Sequence, residues 1–113
     1  MARAVLLTDD AAEDLDEIGG YIARQDSPAR AAHVLERIAA VIAAVVAALA
    51  EAPDRGPVPA ELAALGIRTY REVFFKPYRI VYRVLPKRVV VFLVADGRRD
   101  MQTLLQRRML KPE

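Results

Sequence analysis

The stretch Tyr70-Arg71-Glu72-Val73-Phe74-Phe75-Lys76-Pro77-Tyr78-Arg79-Ile80-Val81-Tyr82-Arg83-Val84 decides how this chain folds. It is dense in β-branched and aromatic side chains, and Lys76-Pro77 interrupts it at hairpin spacing. Pro86-Lys87 makes a second interruption, followed by Val89-Val90-Val91-Phe92-Leu93-Val94-Ala95. This reads as an antiparallel meander of three strands, Ile67 to Phe75, Tyr78 to Leu85 and Arg88 to Ala95. Asp96-Gly97 then turns the chain into a last helix over about Arg99 to Leu110. Met101, Leu104 and Leu105 are the residues that would dock it.

Upstream of the meander the hydrophobic period is that of a helix. Ala2 to Leu7 reads as a short strand, to be added at an edge of the sheet. Thr8 is a good N-cap, and Asp9 and Asp10 sit where a helix dipole favours acids. The first helix runs to about Gln25, with Leu15, Ile18 and Ile22 on one face. Gly19 and Gly20 weaken it and offer close approach to a neighbour. Asp26-Ser27-Pro28 breaks and restarts the chain, with Ser27 as cap and Pro28 at the first helical position. A long helix follows to about Glu51. Its stripe is Leu35, Ile38, Ile42, Val45 and Leu49, widened by Val34, Val41 and Ala48. The short break folds it back on the first helix as an antiparallel hairpin. Pro53 to Pro59 is a loop, and Ala60 to Leu65 forms about one helical turn stopped by Gly66.

The fold class is therefore α+β. An N-terminal strand and a helical hairpin pack on a twisted antiparallel sheet of about four strands, with a short C-terminal helix. The 113 residues fit one domain, 1–113, with no linker or repeat. A chain of this length can bury a core without staples. It has no cysteine, hence no disulfide, thiolate metal site or thiol nucleophile. That composition suits the cytoplasm. No stretch reads as a secretory signal, and no membrane association is expected. The longest apolar block, Ile38 to Ala50, is too short to span a bilayer and reads as a buried helix.

Charge is distributed unevenly. Residues 1–65 hold 5 Lys+Arg and 11 Asp+Glu, a balance of −6, while residues 66–113 hold 12 and 4, a balance of +8, which together give the net +2. Such asymmetry suggests that the C-terminal half faces an anionic partner, either nucleic acid or an acidic protein.

Side chains alternate across a strand. Tyr78, Ile80, Tyr82 and Val84 share one face, and Arg79, Val81, Arg83 and Leu85 share the other. Arg79 and Arg83 thus point the same way, about 13 Å apart by strand rise. Arg71 lies on the preceding strand, Lys76 in its hairpin, and Arg98 and Arg99 after the last strand. Pairing could gather these into one basic concavity able to grip phosphate through guanidinium forks. The alternative is an arginine-studded outer face paired with Glu72 and solvent. His33, the single histidine, lies among alanines on the long helix and is not read as catalytic or ligating. The acids Asp9, Asp10, Glu13, Asp14, Asp16 and Glu17 spread round a helix and read as solvated or capping. Tyr70, Tyr78 and Tyr82 could stack on bases, though packing is the more usual role. No P-loop, dinucleotide fingerprint, Ser-His-Asp set or zinc motif is present, so no cofactor or metal is expected.

The stretch from Tyr70 to Val84, with Val89 to Asp100 and the N-terminal Ala12-Glu13-Asp14-Leu15-Asp16-Glu17-Ile18 followed by Tyr21-Ile22, resembles the RelE/ParE toxin superfamily. The resemblance covers nearly the whole chain, in order. It implies a helical hairpin packed on a twisted antiparallel sheet. It further implies the toxin of a type II, plasmid-stabilisation type toxin–antitoxin module that arrests growth, neutralised by a cognate antitoxin that wraps it.

Two branches differ in target. RelE-like members cut mRNA in the ribosomal A site, and for them Arg79 and Arg99 match the family's catalytic arginines. ParE-like members bind DNA gyrase and poison it without being enzymes. The C-terminal tyrosine of RelE-like toxins is replaced here by Leu104 or Leu105, and the histidine before the Gly-Arg turn by Asp96. No general base stands out beyond Lys76, Arg71 or Glu72, and an arginine stays protonated. The long hairpin and the missing proton-transfer partner favour the ParE-like reading. A fold retained as an inactive structural or regulatory module is a third.

Overall fold

A computed structural model describes residues 3–52, 54 and 56–110. Ala2, expected to start the first strand, and Pro53, expected to open the loop, lie outside them. The first strand, β1, is Ala4–Leu7. Thr8 then caps helix α1, Asp9–Gln25, its hydroxyl accepting the Ala11 N–H at 3.1 Å. Asp9 and Asp10 occupy the first turn, where the helix dipole favours them. Ser27 caps helix α2, Pro28–Ala48, with Pro28 in its first turn. The two helices pack as a hairpin. At Gly19 a methyl group would sit 3.0 Å from Leu35 Cδ1, so the missing side chain is what lets α2 approach.

Helix α2 stops at Ala48, short of the expected Glu51, in a turn where Glu51 and Ala52 both donate to the Ala48 carbonyl. The short helix α3, Ala60–Ala63, is followed by a turn that closes at Gly66, whose φ of 77° suits glycine. Strand β2 is Arg71–Phe75, starting later than expected. The residues before it stay on α3: Ile67 N–H donates to the Leu62 carbonyl, and Ile67 and Tyr70 pack beside Leu62. Strands β3, Tyr78–Val84, and β4, Arg88–Asp96, complete the meander. Helix α4, Met101–Met109, begins after an Asp100 cap.

The sheet order is β1-β4-β3-β2. The expected antiparallel pairing holds for β2, β3 and β4. It does not hold for β1, which lies at the edge but runs parallel to β4, with Ala4 opposite Arg88 and Leu7 opposite Val91. The hairpin and the rest of the meander intervene between these two strands, so no tight turn constrains β1 to the antiparallel sense. A bulge falls where Val81 pairs with Leu93 but Tyr82 pairs with Val91, leaving Phe92 as the extra residue. It changes the phase of β4, so that Val89, Val91 and Val94 all reach the same core.

The sheet is covered on both faces. The hairpin packs Val34, Ile38 and Ile42 against Ile80, Tyr82 and Val91. On the opposite face α3 and α4 clasp Val81, Leu93 and Ala95 with Leu62, Met101 and Leu105. The sequence pattern placed Arg79 and Arg83 on the same face as Val81, and that face is this second, clasped one. Helix α2 departs from the expected buried helix. It is long and apolar enough to cross a membrane by length and composition. Ala31, Val34, Ile38 and Ile42 are buried, while Ala39, Ala40, Ala43, Ala44 and Ala47 are exposed.

Candidate functional site

Arg79 is the second residue of β3, and its guanidinium is fully engaged within the protein. It forms a two-pronged contact with Glu61 of α3, both arms at 2.8 Å. Its Nε donates to Glu72 Oε1 on β2 at 2.9 Å, and Nη2 lies 2.7 Å from the same oxygen. The Phe74 ring lies with its centre 6.0 Å from the guanidinium carbon. Only 13% of the Arg79 side chain is exposed, against 22% for Glu61 and 6% for Glu72. The hydrogen bonds to Glu61 raise the Arg79 pKa above its ordinary value, against the opposing effect of burial. The same contact holds the Glu61 carboxyl below its ordinary value. Gly97 makes room for the clamp, since a methyl group there would stand 3.0 Å from Arg79 Cδ.

On the far side of that turn lies an open cleft of about 700 Å³ between α1 and the adjoining ends of β3 and β4. Tyr21, Ile22 and Tyr78 supply its aromatic and apolar wall, and Arg98 and Arg99 its rim. Its charged lining is balanced, with Asp14, Glu17 and Asp96 against Arg24, Arg98 and Arg99. Arg98 folds back on Asp96 through contacts of 3.0 and 2.6 Å, which lowers the Asp96 pKa to about 2. The Tyr78 hydroxyl is pushed up, first by burial and then by Asp96. The Arg99 side chain is exposed and forms no ion pair or hydrogen bond among the described residues. An aromatic wall and a rim balanced in charge suit recognition of a protein surface better than of a polyanion, which calls for a predominantly basic patch.

The family described as "ParE toxin of type II toxin-antitoxin system, parDE" matches residues 5–101. This chain belongs to that family. Among solved structures, a chain of the "Chromosomal ParDE TA system from P. aeruginosa" is similar in fold, with a TM-score of 0.61 at 19% identity over 84% of this chain and 96% of that one. No curated protein sequence matches the chain. Membership of the family brings an antitoxin partner with it and accounts for the hairpin-on-sheet architecture.

In this ParE-family chain the six basic residues picked out by sequence do not form one concavity. Arg98 and Arg99 share the cleft. Lys76 lines an adjoining depression beyond Pro77 and Tyr78. Arg83 is exposed on the clasped face, two residues beyond Val81. Arg71 pairs with Tyr82 and so projects to the hairpin face, opposite Arg79 and Arg83. Arg79 is enclosed by acids. His33 is exposed on α2.

A second buried ion pair was not legible in the sequence. Arg108 of α4 donates to both oxygens of Asp14, at 2.9 and 3.0 Å, and to the Phe92 carbonyl at 3.0 Å. Asp14 also accepts the Val94 N–H at 3.0 Å. These side chains finish the edge of β4 just where β1 ends. Asp14 is thus buried, not one of the solvated acids of α1. The usable signal was its position three residues after the fully buried Ala11 and four before Ile18, on the inward face of α1. Glu61, Tyr21 and Arg24 were also missed as members of these sites, because their neighbours come from distant elements.

Proposed function

We propose that this ParE-family chain acts by binding its target rather than by cutting it, as a poison of DNA gyrase in the cytoplasm held inactive by its cognate antitoxin. The observation that carries this reading is the Arg79 clamp. An arginine that contacts Glu61 and Glu72 within 3 Å and is 13% exposed has no free face for a phosphate. The pair of strand and turn arginines that a nuclease would use is thereby reduced to Arg99. In the cleft, the Asp96 carboxyl is held ionised by Arg98, and the Tyr78 phenol is shifted upward, so neither is poised as a base. The gyrase contact would then use Tyr21, Tyr78 and Arg99.

The ribosome-dependent endoribonuclease is the competing reading, and the free Arg99 beside Tyr78 is the observation in its favour. Induced expression separates them. Gyrase poisoning predicts arrested growth, intact mRNA and trapped gyrase–DNA cleavage complexes, with arrest relieved by Arg99→Glu or Tyr21→Ala. Codon-positioned mRNA cuts in a ribosome-containing extract, lost in Arg99→Ala and absent without ribosomes, would reverse the assignment. Normal growth with folded, soluble protein would identify an inert module of this fold.

A further inference from the structure

We propose that the chain pairs with a second copy of itself through β1, antiparallel across a two-fold axis at Leu6, so that two four-stranded sheets become one. β1 is an edge strand, and its backbone polarity is readable. Ala4 N–H donates to Lys87 and Thr8 N–H to Val91, so residues 4, 6 and 8 face β4 and residues 5 and 7 face outward. The strand itself, Ala-Val-Leu-Leu, has no charge, proline or bulge among the described residues to discourage an added strand. Val5, Leu6 and Leu7 are 42%, 46% and 41% exposed, an unusual cost for a strand that has no further cover.

The occupant follows from the register. An added antiparallel strand must pair outward residues with outward residues. For two copies centred on β1, that allows Val5 opposite Val5, Val5 opposite Leu7 with Leu6 on the axis, or Leu7 opposite Leu7, which runs Val5 into the start of α1. The first sets Arg3 against an apolar Leu7. The second brings Arg3 beside the start of α1 in the second copy, where Asp9 lies, and by symmetry does so twice. The strand is thus preceded by a base and followed by the acids Asp9 and Asp10 at the start of α1, so that an antiparallel second copy meets opposite charge at both ends. Arg3 already donates its Nε to the Leu85 carbonyl at 3.0 Å, which holds it beside the strand with its remaining donors free to turn outward.

The hairpin face supports the same axis. Above β1 runs an apolar groove of about 440 Å³, walled by Val5, Leu7, Leu35, Ala39 and Ala43. A two-fold through Leu6 brings the exposed alanines of α2 towards those of the second copy, and side chains this small allow two helices to approach closely. The dimer thereby covers the strand edge and the side of α2 that carries Ala39 and Ala43.

The test uses the full chain made by cell-free synthesis and sedimented over a concentration series. The expected mass is twice that of the 12.5 kDa chain. The chain has no cysteine, so Leu6→Cys introduces a single thiol. On the axis, in a non-hydrogen-bonded pair with Cα atoms about 4.5 Å apart, that thiol should oxidise to a covalent dimer. Ala4→Cys should not, because its symmetry mate lies about 13 Å away by strand rise. Leu6→Lys should give a folded monomer. Arg3→Asp should weaken dimerisation about tenfold, and adding Asp9→Arg should restore it. A monomer at every concentration overturns the proposal and leaves the edge to an antitoxin segment. Equal crosslinking of the two cysteine variants, or a dimer that survives Leu6→Lys, overturns it as well.

Discussion

Replacing Arg79 by alanine removes the guanidinium that pairs with two carboxylates of unequal burial, Glu61 and Glu72. Glu61, 22% exposed, can turn to water, so its loss contributes little. Glu72 is 6% exposed and lies in the sheet, where its carboxylate would remain desolvated and unpaired. Breaking a buried pair from one side costs about 3–5 kcal/mol. With Glu61 relaxing, about 3 kcal/mol is expected, which for a domain of this size lowers Tm by roughly 10–15 °C. Guanidinium melts followed by circular dichroism measure it. Arg79→Leu combined with Glu72→Leu removes both charges and should recover most of the loss, because a buried pair is often no more stabilising than apolar residues of similar volume. On the proposed reading the double variant should still arrest growth, since the clamp is then a structural feature of the sheet. If Arg79→Ala melts within about 1 kcal/mol of the parent and yet abolishes arrest, the reasoning fails and Arg79 belongs to the working surface.

Arg108→Ala should cost a similar amount, about 3 kcal/mol, by stranding Asp14 at 11% exposure. Hydrogen exchange should then show faster exchange at Val94 and along α4 ahead of the rest of the sheet. Glu61 titrates below its ordinary 4.5, so its stabilisation is present above that value and is lost as pH falls through the lowered one. Denaturant stability should be level near neutrality and decline below about pH 4.5, with a shallower decline in Glu61→Gln. Gly56→Ala should destabilise by about 2 kcal/mol, because φ is 104° there and the added methyl would lie 2.6 Å from the Tyr82 hydroxyl. Finally, the Asp96 carboxyl should titrate near 2 by NMR and return towards 3.8 in Arg98→Ala.

What could be read from sequence was whatever depends on near neighbours. Thr8, Ser27 and Pro28 announce helix starts because a cap acts within one turn. The three strands of the meander follow from Lys76-Pro77 and Pro86-Lys87, which set hairpins locally. The direction of β1 could not be read, because its neighbour β4 is far along the chain and alternation is the same in either sense. Alternation assigned Arg79 and Val81 to one face but could not say what would cover it. Glu61 comes from a single helical turn, and only the fold delivers it to Arg79. The expected basic concavity failed for a related reason. Arg71 and Arg79 lie on adjacent strands, and only the register, Arg71 opposite Tyr82, places them on opposite faces. The apolar stripe of α2 was legible, whereas its exposed alanines were not, since alanine is equally at home in a core and on a helix surface.

The Asp14–Arg108 contact joins residues 94 positions apart. β1, the first strand, finds its place only against β4. Sheet assembly at both of these points therefore waits for the last part of the chain to be made, and such distant closures are slow to form. A toxin built this way is tardy by construction. During translation its growing chain has a helical hairpin but no finished sheet, and the cleft that joins α1 to the end of β4 does not yet exist.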